Sequence, residues 1–416
     1  MRSWRRLHHR RGVQAPFLFF LLPVHQMHTV PHYRVRSISR HVPRAVPLLT
    51  VGALAVLLAA CGRSDATVAD STVASRAMGT DSGMTVDSAG GRSKAATGVM
   101  MTTEQQQVLD ALESLHGKPI EMLSAVEARK QPSPTDAVMA VLKKDGKPTT
   151  PEAVGSVVNR TIPGPGGALP IRIYTPAGTG PFPVIVYFHG GGFVIATNDT
   201  YDGSARALTN ATKAILVSVE YRKAPEHKFP AAHDDALAAW KWVIANASTL
   251  RGDTAHIAIA GESAGGNLAI ATAVSAKTLG LAVPVAILAV YPVTQGDTTT
   301  PSYTQNAMAK PLNRAMMSWF FTQYTRSPAD AKDPRLNLLS ADLKGLPPTT
   351  IITAQFDPLR SDGDMLAERL KAAGVDVEIR NFNGVSHEFF GQGAVVPTAR
   401  EAVAYAAGGL RKQLMP

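Results

Sequence analysis

Apolar and polar positions change their rhythm along the chain. From Thr103 onward, Val108, Leu109, Leu112, Leu115, Ile120, Met122, Leu123 and Val126 recur at helical intervals, which predicts amino-terminal helices. Thr135 reads as the cap of a second short helix running to Leu142. Beyond residue 180, short apolar runs take over. Pro183 to Phe188, Ala214 to Val219, His256 to Ala260 and Thr349 to Ala354 read as strands, and Val375 to Phe382 alternates as a strand does. Ala231 to Ala245 and Asn267 to Val274 read as helices between them. Residues 62–101 follow neither rhythm. They contain no aromatic residue, no Leu and no Ile, and Ser, Thr, Ala, Gly and Asp dominate. Such a segment cannot bury enough apolar surface to fold. As a flexible tether it would reach roughly 35 Å.

Charge changes the picture of the amino terminus. The 416 residues carry 42 Lys and Arg against 32 Asp and Glu, a formal charge of +10. The excess sits in residues 1–61, which hold nine Arg, no Lys and no acidic residue. Without them 33 basic residues face 32 acidic ones, so the body of the chain gives a nucleic-acid partner no electrostatic support. The basic leader runs into an apolar stretch, Ala45 to Leu58, and then Leu58-Ala59-Ala60-Cys61-Gly62. A charged region, an apolar region and small residues in that order form a secretory signal. The stretch is too short to span a membrane comfortably. Met27 is an alternative start that leaves a basic region of ordinary length, and an organellar transit peptide is a weaker reading. Cys61 is the only cysteine, which excludes an intrachain disulfide. Leu-Ala-Ala-Cys resembles a bacterial lipobox. That resemblance implies cleavage before Cys61, acylation of its thiol, and attachment to a membrane of the cell envelope, on the periplasmic or outer-membrane side. A fortuitous cysteine after an ordinary signal, or an uncleaved anchor, is the plainer alternative.

Two glycine-rich turns carry the candidate chemistry. His189-Gly190-Gly191-Gly192-Phe193 follows the run ending at Phe188, and Gly261-Glu262-Ser263-Ala264-Gly265-Gly266 follows the run ending at Ala260. The second reads as a nucleophile elbow, in which glycines on both sides of a serine leave room for a tight strand-to-helix turn. The first reads as an oxyanion hole, whose backbone N–H groups are typically worth about 3–4 kcal/mol each. A base and an acid should follow. Of twelve histidines only His387 lies beyond Ser263, just past a predicted strand. Asp357 follows the run of residues 349–354 and is the first choice of acid. Asp362 and Asp364 are its rivals, but they fall where a helix should begin, and complementing the helix dipole is their simpler role.

With Tyr221 to Ala232, Asp357-Pro358-Leu359-Arg360 and the loop around His387, these motifs resemble the bacterial hormone-sensitive-lipase-like carboxylesterases over roughly residues 102–416. The resemblance implies an α/β-hydrolase fold: a mostly parallel central sheet flanked by helices, with a helical cap. It implies Ser263 as nucleophile, His387 as general base and acid, and Asp357 orienting His387. It implies an oxyanion hole from the N–H groups of Gly191, Gly192 and Ala264. No cofactor or metal is called for, and the implied substrate is a small-molecule ester of short to medium chain. Residues 102–155 would supply cap helices and an insertion near 298–345 a second cap piece, with residues 156–416 forming the catalytic domain. In the cap, Met316, Trp319 and Phe320, with Phe193 from the glycine turn, are pocket candidates, because adaptable Met beside aromatics suits an acyl or aryl group. Plain packing is the competing reading for each of them. A deacetylase or arylamidase with the same triad, and a non-catalytic ligand-binding lipoprotein, are the alternative functions.

Two positions depart from the family pattern. Ser361 stands where an acidic residue is usual, and Glu388 stands where glycine is usual. Glu388 either raises the pKa of the adjacent His387 or points to solvent, and solvent is the expectation. Arg222 and Glu226 are expected to pair and brace the glycine-rich loop. Oligomeric state is left open.

Overall fold

The computed structural model describes residues 100–415. The expected signal, Cys61 and all but the last two residues of the expected tether lie outside them. Three helices come first: α1 (Thr103–Ser114), α2 (Ala125–Ala128) and α3 (Pro134–Lys144). Then follow β1 (Ser156–Gly164), β2 (Gly167–Thr175), β3 (Phe182–Phe188), α4 (Asp202–Thr212), β4 (Ile215–Val219) and α5 (Ala231–Asn246). The remainder is β5 (Gly252–Glu262), α6 (Ala264–Thr278), β6 (Ile287–Val290), α7 (Pro301–Gln305), α8 (Arg314–Tyr324), β7 (Thr349–Phe356), α9 (Arg360–Ala372), β8 (Val377–Ser386) and α10 (Pro397–Leu414).

The eight strands form one sheet in the order β1-β2-β4-β3-β5-β6-β7-β8. β1, β2 and β4 pair antiparallel, and every pairing from β4 through β3 to β8 is parallel. β3 and β7 are buried at every position, as strands covered on both faces must be. Successive side chains of β3 enter opposite cores. Val184, Val186 and Phe188 pack with Trp240, Leu268, Ile270, Leu366 and Leu370 from α5, α6 and α9. Ile185 and Tyr187 pack with Ala205 and Leu208 of α4 and Ala402, Ala406 and Leu410 of α10. Each fully buried leucine or isoleucine contributes about 1.5–3 kcal/mol to this three-layer arrangement. Because the strands run parallel, the ends of β3, β5, β7 and β8 share one rim, and both glycine turns, Asp357 and His387 follow directly from those ends.

The amino-terminal helices divide between the two cores. Val108 of α1 and Ala137, Val138, Val141 and Leu142 of α3 join the core beneath α4 and α10. Ile120, Ala125 and Ala128 join the other, with Met317 and Phe320 of α8. Only the stretch from Ile120 to Ala128 therefore accompanies the 314–324 helix. The cap of α3 is Ser133, not Thr135. Ser133 Oγ accepts the Asp136 N–H while the Asp136 carboxylate accepts the Ser133 N–H, and Pro134 takes the first helical position, where its missing N–H does no harm. Thr135 donates instead to the carbonyl of Thr200. Near the start of the described chain, the Thr102 N–H donates to the Gly384 carbonyl in β8 at 2.8 Å.

The loop from Tyr221 to Ala232 is braced differently from expectation. Arg222 pairs with Asp235, not with Glu226: its Nε and Nη2 and its backbone N–H all reach the Asp235 carboxylate, which is 1% exposed. Glu226 instead takes both terminal nitrogens of Arg129. Arg129 also donates to the carbonyls of Val194 and Ala224, so it ties the segment after α2 to the loop beyond the first glycine turn. Burial decides which pair matters for stability. Arg222→Ala strands a buried carboxylate and is expected to lower the unfolding free energy by roughly 2–3 kcal/mol, since a quarter of the Arg222 side chain stays exposed. Glu226, half exposed, should cost less than about 1 kcal/mol as Glu226→Gln. Urea unfolding of the two variants beside the parent checks that order.

Candidate active site

Ser263 sits between β5 and α6 at φ 57°, ψ −118°, a positive-φ conformation unusual for a residue with a side chain. Close backbone packing holds it there. A Cβ on Gly261 would overlap the carbonyl of Gly265, and a Cβ on Gly265 would overlap the carbonyl of Phe188 at the end of β3. The first turn of α6 thus lies directly on β3, and no side chain fits at either glycine. Ser263 donates its N–H to Val290 and accepts at its carbonyl from Val293, which fastens the turn to the end of β6.

His387 Nε2 stands 3.0 Å from Ser263 Oγ, and His387 Nδ1 stands 2.7 Å from Asp357 Oδ2. All three side chains are nearly or fully buried. The second oxygen of Asp357 accepts the Leu359 N–H at 2.8 Å, which orients the carboxylate. Burial pulls the His387 pKa down, but the charge and hydrogen bond of Asp357 outweigh it, with Glu388 and Glu262 adding to the push. The net result lies above the ordinary imidazole value. Asp362 does not reach the histidine. It lies in the first turn of α9 as expected, but its carboxyl is fully buried, accepts the Thr294 N–H, and is pushed by burial well above the usual carboxylate range. A group so biased toward its neutral form does little for the helix dipole. Asp364 is exposed. Ser361 clasps α7 to the turn that carries Asp357. Its Oγ accepts the Ser302 N–H, and its own N–H donates to Ser302 Oγ.

The first glycine turn presses against the serine. A Cβ on Gly190 would come within 3.1 Å of Ser263 Cβ. Gly191 adopts φ 94°, open only to glycine, and its carbonyl accepts from Val194 and Ile195. The N–H groups of Gly191, Gly192 and Ala264 donate no hydrogen bond to the described residues. Tyr221 Oη donates to the carbonyls of His189 and Gly190, which holds the turn from behind. His189, stacked on Tyr221, is pushed by burial down to about 4 and is neutral.

Sequence reasoning missed a buried acidic belt beneath the site. Glu262 accepts from Tyr187 at 2.5 Å and from Tyr291, and burial pushes its pKa up to about 7. Tyr291 in turn places its ring 4.4 Å from that of His387. Glu388 does not face solvent as expected. Its side chain is 19% exposed and turns inward, where Tyr201 Oη donates to it at 2.6 Å. The one sequence signal for this belt is the pair of acidic residues adjoining Ser263 and His387. The tyrosines that hold them lie on other elements.

The pocket candidates split. Phe193 is 2% exposed and stacks on Tyr324 with centroids 4.1 Å apart, so its ring braces the turn against α8. Phe320 is also buried, and its ring lies so close to Gly192 that a Cβ there would overlap it. Met316 and Trp319 remain partly exposed, and Trp319 Nε1 donates to the Leu123 carbonyl. Among the described residues no three His, Cys, Asp or Glu side chains gather as metal ligands, and no helix is long and apolar enough to cross a membrane.

Known proteins resemble this chain in sequence and fold. The family described as alpha/beta hydrolase fold matches residues 185–391. Carboxylesterase NlhH of Mycobacterium tuberculosis is 43% identical over 251 residues, 59% of this chain and 79% of the relative. Ethyl acetate hydrolase of Pseudomonas putida is 33% identical over 302 residues, 71% of this chain and 92% of the relative. A crystallised esterase of Pyrobaculum calidifontis superposes with a TM-score of 0.68 at 36% identity, covering 75% of this chain and 98% of that one. With the nucleophile-elbow geometry and the rim of loops already described, these likenesses make the chain a serine carboxylesterase that belongs to the hormone-sensitive-lipase-like family of the α/β-hydrolase fold.

Proposed function

We propose that Ser263, His387 and Asp357 are the catalytic triad of this esterase, that the N–H groups of Gly191, Gly192 and Ala264 form its oxyanion hole, and that Cys61 carries a lipid anchor. The continuous hydrogen-bond chain from Asp357 through His387 to Ser263 supports the first reading. His387 Nε2 takes the Ser263 Oγ proton as Oγ bonds to the ester carbonyl carbon. The carbonyl electron pair moves onto oxygen, which the three free N–H groups receive. The imidazolium, stabilised by Asp357, then gives its proton to the departing alcohol oxygen as that C–O bond breaks. Water, deprotonated by the same histidine, hydrolyses the acyl-serine.

Short- to medium-chain esters are the substrates that the family resemblance implies. Phe320 packs against Gly192, which places α8 on the glycine turn beside Ser263. The export and anchor reading rests on the sequence: the acid-free leader, the apolar run and Leu58-Ala59-Ala60-Cys61. On this reading the enzyme works outside the cytoplasm, on a tether in the bacterial envelope, against small ester substrates.

Three measurements test these assignments. p-Nitrophenyl esters from acetate to palmitate should be hydrolysed best at the short end, and Ser263→Ala should lose activity by about 10⁴-fold or more. Full activity in that variant overturns the nucleophile. Asp357→Asn should fall on the order of 10³–10⁴-fold, whereas Asp362→Asn, which replaces a buried carboxyl that does not bond to His387, should stay within about threefold of the parent. Expressed as the full chain in a bacterial host, the protein should take up labelled fatty acid and sediment with membranes. Both properties should vanish in Cys61→Ala, and if the variant sediments and labels as the parent does, the anchor assignment is wrong.

A further inference from the structure

Glu388 follows His387 directly and occupies φ 68°, the left-handed region that favours glycine. A glutamate kept in that conformation beside a reacting centre is held there by its surroundings. Two clamps do so. Tyr201 Oη donates to Glu388 Oε1 at 2.6 Å, and the Glu388 carbonyl accepts from Gln392 Nε2 at 3.0 Å. Tyr201 is itself fixed: its ring is 4% exposed, and its hydroxyl fills the space where a Cβ on Gly190 would lie. The same Glu388 oxygen stands 3.7 Å from His387 Nε2, the nitrogen that holds Ser263 Oγ. His387 is the one ion-pair partner of Glu388 among the described residues.

We propose that Glu388 is a positioning residue for ester hydrolysis, a second acceptor for the Nε2–H of protonated His387 that competes with Ser263 and the leaving alcohol for that proton. The inference rests on the triad reading above. When His387 is neutral, Nε2 offers its lone pair to the Ser263 hydroxyl and the Glu388 carboxylate accepts from Tyr201. Once Nε2 carries a proton, the carboxylate stabilises the imidazolium. That one contact has two consequences. In the tetrahedral intermediate the carboxylate supports the charge that catalysis creates. In the free enzyme it supports the same charge too early, so the base becomes available only at higher pH.

The charged and titratable groups facing this pair are Asp357 from the end of β7, Glu262 from the end of β5, and the phenols of Tyr201, Tyr187, Tyr291 and Tyr221. No cation among them offsets the carboxylates. Negative neighbours raise the His387 pKa, His387 must be neutral to act as base, and activity is lost as pH falls through that raised value. Burial also raises the Glu388 pKa, so the two groups titrate as a pair and the acidic limb belongs to both.

The test uses the full chain and two variants, Glu388→Gln and Glu388→Gly. Glycine suits φ 68°, so the second variant keeps the fold even if the first is strained. Two profiles are measured against pH: kcat/KM for p-nitrophenyl acetate, and the rate at which a p-nitrophenyl phosphonate labels the serine, with the labelled residue located by mass spectrometry. In both variants the acidic limb should move down by about one pH unit, while the alkaline plateau falls several-fold. A role in structure alone would lower the plateau and leave the limb in place. Limbs coinciding with that of the parent in both variants overturn the proposal while leaving the triad intact. Failure of the phosphonate to label Ser263 in the parent overturns the triad reading instead.

Discussion

The contact between the first turn of α6 and the end of β3 governs the whole rim. Gly265 lies so close to the Phe188 carbonyl that no Cβ could stand between them, and Gly261 lies as close to Gly265. That approach bends the chain so sharply that Ser263 is held at positive φ, with its hydroxyl toward His387 and the next N–H free at the helix start. It also carries α6 beside the loop that leaves β3, so that a Cβ on Gly190 would crowd Ser263. Packing sets this geometry: N–H groups that donate to no described residue and a serine turned toward His387 follow from two backbones with nothing between them.

Much of this is legible in the chain because the relevant chemistry is local. A serine between glycines after an apolar run specifies its own turn, and a single downstream histidine leaves one choice of base. Asp357 is preferred over Asp362 from its place at a strand end, and the two carboxyls indeed have different surroundings, one bonded to His387 and the other buried against Thr294. Alternation and continuous apolar runs likewise mark five of the six strands of the parallel half and miss only β6, which is four residues long.

What is not legible depends on partners far away in sequence. Proximity along the chain matches Arg222 with Glu226, but helix α5 carries Asp235 into the protein, where a buried carboxylate needs a cation more than an exposed one does. Nothing near Glu388 in sequence marks a partner for its carboxylate, which points it to solvent. Its donor, Tyr201, comes from 187 positions earlier. Composition cannot sort the aromatic residues of the expected pocket. Phe193 stacks on Tyr324 and braces the turn, whereas Trp319 keeps an accessible face. The capping error at Thr135 has a different origin. Ser133 and Asp136 have the spacing of a capping box, so the correct signal is local and stands in the sequence.

The bond from Thr102 to Gly384 fastens the chain just ahead of α1 onto β8, three residues before the histidine. It lies beside the loop that carries His387. Gly384, at φ 73°, lets Thr102 lie flat against the strand, with the Thr102 methyl where a side chain would otherwise stand. Along the described chain, this bond to the strand that leads to His387 comes before the first buried residues of α1. Where the protein is fused, truncated or immobilised through that end is accordingly a choice about the active site as much as about the handle.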